Sequence, residues 1–243
     1  MRLHRAALPI VAVLSALLVT SACSGESTDS GKGKPKANKA QSAEEKEAAE
    51  AERLGALDTK HLEKVTVTGK VKGVEAKKVA KAEVEAGRGM KADKKECQPL
   101  ASLIGGFTHI NAVSETHRSL TPVEATDATV GSMWLASHSE KNAVQVMKDL
   151  RKAVTACPKG FHTLGLTYGK VEKLPARDFG DESVDYRITG DVGKQKVPMT
   201  YTVVRSGGVI AVFYGVNMLD EKKAAIPKVF VQAQLDRIGD VTD

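Results

Sequence analysis

KVPMTYTVVRSGGVIAVFYGV, residues 196–216, is the stretch that decides the fold of this chain. From Lys196 to Arg205 the residues alternate, with Val197, Met199, Tyr201 and Val203 on one side. A period of two is the mark of a strand with one covered face. Ser206-Gly207-Gly208 then supplies a hairpin turn. Val209 to Val216 is apolar almost throughout, which suits a strand covered on both faces. The stretch predicts a hairpin whose second strand is the most central of a sheet.

Working outward, Ser183 to Val192 alternates, with Val184, Tyr186 and Ile188 on one side, and Phe161 to Val171 reads as one or two more strands before a turn at Pro175. Phe107 to Ser119 and Ala128 to Ser137 read as strands, with Pro122 in the turn between them. Val130, Met133, Trp134 and Leu135 supply the apolar content of the second. Ser139 opens the clearest helix, because Ala143, Met147, Leu150, Val154 and Cys157 form one continuous stripe and Pro158-Lys159-Gly160 ends it. Asp93 is the expected cap of an earlier helix that carries Cys97, Leu100, Ala101 and Ile104 on one face and stops at Gly105-Gly106. Asp220 to Ile238 reads as a closing helix with two apolar sides: Ile226, Val229, Phe230 and Ala233 on one, Val231, Leu235 and Ile238 on the other. One side is expected to meet the sheet and the other the basic segment near the N-terminus. The expected class is α+β, a mainly antiparallel meander packed against about three helices.

The basic segment is Thr59 to Lys95. Lys60, Lys64, Lys70, Lys72, Lys77, Lys78, Lys81, Arg88, Lys91, Lys94 and Lys95 outnumber Glu63, Glu75, Glu83, Glu85 and Asp93. Val65, Val67, Val71 and Val74 suggest short extended pieces with turns at Gly69 and Gly73. The lysines read as a solvated face; the alternative is a surface drawn to anionic lipid or wall polymer. No aromatic residue interleaves them, so a nucleic-acid partner is not expected. The formal net charge of +6 over 243 residues speaks to solubility and surface attraction in the same way.

The N-terminus has the layout of a bacterial export signal. Arg2 and Arg5 make a positive start, Ala6 to Val19 is apolar, and Thr20-Ser21-Ala22 supplies small residues before Cys23. That apolar run is shorter than the roughly 20 residues a spanning helix needs. Thr20-Ser21-Ala22-Cys23 resembles the lipobox of bacterial lipoproteins, with Thr20 where Leu is usual. The resemblance implies that Cys23 becomes the first mature residue and carries a diacylglycerol with fatty acyl chains such as palmitate. Each buried CH₂ contributes about 0.8 kcal/mol, and two chains anchor stably. Residues 1–22 are thus expected to be a lipoprotein signal peptide. Residues 23–57 are expected to be a lipid-anchored tether followed by the charged helix AEEKEAAEAERL, and residues 58–243 an extracytoplasmic domain. The tether, Ser24 to Gln41, has no large apolar residue and would reach about 20–25 Å. The expected location is the extracytoplasmic face of the cell membrane.

With Cys23 assigned to lipid, Cys97 and Cys157 remain. In an exported chain a disulfide is the default for such a pair. A metal site would need His or Cys partners at ligand spacing, and a catalytic thiol would need a base. Neither cysteine has these in sequence.

No nucleophile elbow, phosphate-binding loop, dinucleotide fingerprint or zinc-protease motif is present in the sequence. His61, His109, His117, His138 and His162 are scattered and read as surface or capping residues. Asp178, Asp181, Glu182 and Asp185 cluster before a strand and could hold a hard cation, but a solvated loop is the simpler reading. No catalytic residue, metal or cofactor is therefore assigned. Aromatic residues are only 4% of the chain, with the single tryptophan Trp134. A groove between the sheet and a helix, around Trp134, Tyr201 and Tyr214, is the expected binding site.

Glu96-Cys97-Gln98-Pro99-Leu100, Ala156-Cys157-Pro158-Lys159-Gly160-Phe161 and Val197–Arg205 together resemble an uncharacterised family of actinobacterial secreted lipoproteins. More distantly, the cysteine-linked helices and the meander are similar to the extracytoplasmic sensor domain of a mycobacterial receptor-type serine/threonine kinase. The resemblance covers roughly residues 90–240 and implies a non-catalytic, sensor-like domain that binds an envelope ligand or a protein partner. An envelope enzyme with a dispersed site and a structural protein on wall polymer are the alternatives.

Overall fold

The computed structural model describes residues 42–124, 126–193 and 195–242. The signal, Cys23 and the Ser24–Gln41 tether lie outside the described residues. Among the described residues nine strands form one sheet: β1 Gly69–Val71, β2 Val74–Lys78, β3 Ser114–Pro122, β4 Thr129–Ser137, β5 Phe161–Thr163, β6 Leu166–Lys173, β7 Glu182–Val192, β8 Gln195–Ser206 and β9 Val209–Asn217. Their order is β1-β2-β3-β4-β9-β8-β7-β6-β5, and every neighbouring pair is antiparallel. The hairpin read from residues 196–216 is thus the middle of the sheet, with β9 at its centre. Its two-residue loop places Gly207 at φ 55°, a conformation a side chain would strain.

Because β9 is apolar on both faces, both are covered. On one face Trp134, Val203, Ile210 and Val212 pack against Leu100, Met147 and Leu150. These come from α4 (Gln98–Ile104) and α5 (Glu140–Ala156). Ser139 caps α5, its Oγ accepting the Asn142 N–H. The other face carries Met133, Leu135, Val204, Ala211 and Phe213 against Leu62, Phe230, Val231 and Ile238. Those lie on α2 (Thr59–Val65) and α6 (Lys228–Thr242).

The segment from 59 to 95 is more helical than its valines suggest. It holds α2, the β1–β2 hairpin and α3 (Lys81–Ala86). Val65 lies in α2 and not in an extended piece. The expected contact between the closing helix and this segment is present: the Gln234 side chain accepts the Val67 N–H at 2.8 Å and donates to the Val65 carbonyl at 3.1 Å. Arg118, only 2% exposed, adds a second bolt by donating to Glu63 at 2.7 Å and to the Val67 carbonyl at 3.1 Å. All the segment's lysines, and Arg88, are exposed. The helix α1 (Ala43–Leu54) precedes them, held by a reciprocal cap between Ser42 and Glu45.

Three local expectations are corrected. Residues 107–113 are irregular, and β3 starts only at Ser114. Asp93 caps no helix; its carboxylate accepts the His162 N–H at 2.8 Å, and a 3-10 turn, Lys95–Cys97, leads into α4 instead. The closing helix starts at Lys228, after Pro227, so exposed Val229 leaves the core and Gln234 enters it. No described helix is long and apolar enough to cross a membrane.

Cys97 and Cys157 form a disulfide with a sequence separation of 60, tying the turn before α4 to the end of α5. Closing a loop of that length stabilises by about 4 kcal/mol in the chain-entropy model. The paired Cys97→Ala, Cys157→Ala variant is expected to lose a stability of that order in urea unfolding. A loss under about 1 kcal/mol would show that the bond contributes little to the folded state.

Candidate functional site

Register across the sheet decides which side chains meet. Ser119 pairs with Ser132, Ser132 with Tyr214, Tyr214 with Tyr201, and Tyr201 with Tyr186. One step along, His117 pairs with Trp134. Since side chains two residues apart share a face, these residues form two adjoining rows on the α4–α5 side of the sheet. The Tyr186 and Tyr201 rings stack at 5.0 Å, Tyr201 and Tyr214 are tilted at 5.2 Å, and His117 stacks on Trp134 at 6.4 Å. Tyr168 reaches the same place from β6. The chain has 4 tyrosines and 1 tryptophan, and all five are gathered here.

Over these rows lies a cavity of about 390 Å³. Trp134, Tyr201 and Tyr214, the three residues expected from sequence, all line it, together with Tyr168, His117, Met199, Ser119 and Ser132. The C-terminal end of α4, Ile104 to Gly106, and one side of α3, Glu83 and Val84, form its roof. The roof is thin, because α3 has six residues, no side-chain cap and no buried residue. It is held by two devices. Gly87 and Gly105 bring their backbones so close that a Cβ on Gly105 would sit 2.3 Å from the Gly87 carbonyl oxygen. Arg88 donates to Glu85 and to Glu115 at 3.1 Å and lies 4.0 Å over the Phe107 ring.

The polar tips in this cavity are uncharged. Burial pushes the Tyr186 and Tyr201 phenols well above their usual range, and it raises Tyr168 and Tyr214 as well. Burial holds the His117 imidazole below its usual range; the Gly106 carbonyl opposes this, and the Arg88 and Arg118 charges add to it. Since a carbonyl only accepts, the 2.8 Å contact from His117 Nε2 to Gly106 fixes the proton on Nε2 and leaves Nδ1 as an acceptor. The tyrosine hydroxyls have no hydrogen-bond partner among the described residues, and the indole N–H of Trp134, a residue 4% exposed, has no acceptor.

The histidine expectation is corrected in two places. His117 is a wall of the cavity. His138 is buried, 1% exposed, at the end of β4, with Nε2 3.1 Å from Thr108 Oγ1. Alternation on β3 could have flagged His117, because it shares its face with Ser119 opposite the Trp134 row. His61 and His162 are exposed and bond to Asp58 and Asp93, and His109 bonds to Asp149.

Three of the four acids of the cluster are held by arginines, and Asp178 is exposed. Asp185, 4% exposed, accepts from Arg177 at 2.9 Å and from Thr202 at 2.6 Å; Glu182 bonds Arg205 and Arg151; Asp181 bonds Arg205 at 2.7 Å. Among the described residues no group of three or more His, Cys, Asp or Glu could hold a metal ion.

No family model matches the chain, and no curated protein matches it. Among solved structures the chain is similar to the crystal structure of the extracellular domain of PknH from Mycobacterium tuberculosis. The two are 10% identical, the match covers 76% of this chain and 96% of that one, and the TM-score is 0.44. At that score nothing about fold or function follows from the likeness.

Buried His138 makes stability depend on pH. Burial lowers its folded pKa from 6.5 to about 4. Between those values the unfolded chain binds a proton that the folded chain does not. Stability therefore falls as pH drops from 6.5, by at most about 1.4 kcal/mol per unit from this group. His138→Gln is expected to flatten the urea-midpoint curve between pH 6.5 and 5. An unchanged slope would show that His138 is not the group responsible.

Proposed function

We propose that this chain is a membrane-anchored extracytoplasmic lipoprotein whose α+β domain is a non-catalytic, sensor-like binding module of the cell envelope. The observation that carries the reading is the aromatic cavity. Trp134, Tyr168, Tyr201 and Tyr214 line one opening, and the three tyrosine hydroxyls make no hydrogen bond among the described residues. A concave, largely apolar wall with a few converging polar groups is the usual form of a small-molecule site. Location rests on Thr20-Ser21-Ala22-Cys23, and the Cys97–Cys157 disulfide supports an oxidising compartment.

A second reading has one observation in its favour. Lys64, Lys70 and Lys72 lie exposed near the β1–β2 hairpin and make no ion pair among the described residues, which suits contact with an anionic wall polymer or lipid surface.

Two variants test the main reading. Cys23→Ala should lose acylation and leave the membrane fraction; a variant still acylated or membrane-bound would end the anchor proposal. Ser132→Trp places a ring in the cavity. Mass spectrometry of small molecules extracted from purified protein should show an organic compound enriched with the wild-type chain and lost from the variant. Equal recovery from both would remove the cavity as the binding site.

A further inference from the structure

We infer that the cavity selects an uncharged, ring-bearing small molecule that carries a hydrogen-bond acceptor. This rests on the reading of the cavity as a ligand site and adds its chemistry. The wall offers no counter-ion for a charged ligand. Arg118 borders the cavity through its backbone, but its guanidinium is used on the opposite face by Glu63, Thr68 and the Val67 carbonyl. Glu83 belongs to the roof and is exposed, so water solvates its carboxylate. An ion of either sign would give up its hydration there without a paired charge to replace it.

The titratable groups report the same environment. Burial disfavours both the imidazolium of His117 and the phenolates of Tyr168, Tyr201 and Tyr214. A place that resists positive and negative charge alike suits a neutral guest. Ring shape follows from the walls, since Trp134, Tyr201 and Tyr214 present π-surface that a flat or cyclic molecule covers best. The acceptor follows from the hydroxyls of Tyr201 and Tyr214 on the cavity wall, which make no hydrogen bond among the described residues. Beside them, His117 Nδ1 can receive a donor from the guest.

A series on one ring frame tests this in the full chain by ligand-observed NMR titration. The four probes are 2-acetylnaphthalene, 2-isopropylnaphthalene, 2-naphthoate and 2-naphthyltrimethylammonium. The acetyl compound is expected to bind at least tenfold more tightly than either ion and several-fold more tightly than the isopropyl compound. The paired Tyr201→Phe, Tyr214→Phe variant should erase the advantage of acetyl over isopropyl while both still bind. Tyr214→Phe, a milder change, should reduce that advantage and guards against a folding failure of the first variant. Either ion binding as tightly as the acetyl compound would overturn the neutral-guest inference and leave the cavity a ligand site. An acetyl advantage that survives both variants would overturn the role of these donors. Failure of all four probes to bind would overturn the ligand-site reading itself.

Discussion

Strand β9 presents Val209, Ala211 and Phe213 to one side and Ile210, Val212 and Tyr214 to the other, so it is stable only between two covering layers. Everything else is arranged around that requirement. The layer on the Ile210 side is α4 and α5, joined by the disulfide; the layer on the Phe213 side is α6 with α2. The antiparallel register of β9 with β4 and β8 then fixes which side chains stand beside Tyr214, namely Ser132 and Tyr201. The aromatic cluster is a consequence of that register. The cavity is a consequence of where the Ile210-side layer is thinnest: past the last turn of α4 the roof passes to α3, which buries none of its residues.

Much of this was legible because period-two and 3.6-period patterns are local. The alternation of residues 196–216, the stripe from Ala143 to Cys157, and an even pair of cysteines each constrain structure without knowledge of the rest of the chain. The adjacency of Trp134, Tyr201 and Tyr214 came from composition alone: with so few rings, an aromatic groove had few members to choose from. What was not legible depends on partners distant in sequence. In α2, TKHLEKV has two buried residues, Leu62 and Val65, too few to display a period. Gln234 lies inside the apolar face of α6 because it serves the backbone of residues 65–67, 167 and 169 positions away. Arg118 is buried because Glu63 reaches it from α2. The α3 roof shows no apolar face in sequence because it has none.

The two faces of the sheet differ in the charge they bury. On the α6 side, charge is buried in satisfied groups: Arg118 with Glu63, and Asp185 with Arg177 and Thr202. In Glu63, bonds from Arg118 and Lys78 outweigh the burial that would otherwise raise its pKa. These pairs offset the cost of burying charge, although Arg177 Nη2 and Thr200 Oγ1 on the same side have no partner among the described residues. On the cavity side the polar groups are neutral, and several are unmatched. The Trp134 N–H and the Tyr186 hydroxyl are buried with no partner among the described residues. The Tyr201 and Tyr214 hydroxyls differ from these in standing on the cavity wall, where on the ligand reading a guest molecule would supply their partner.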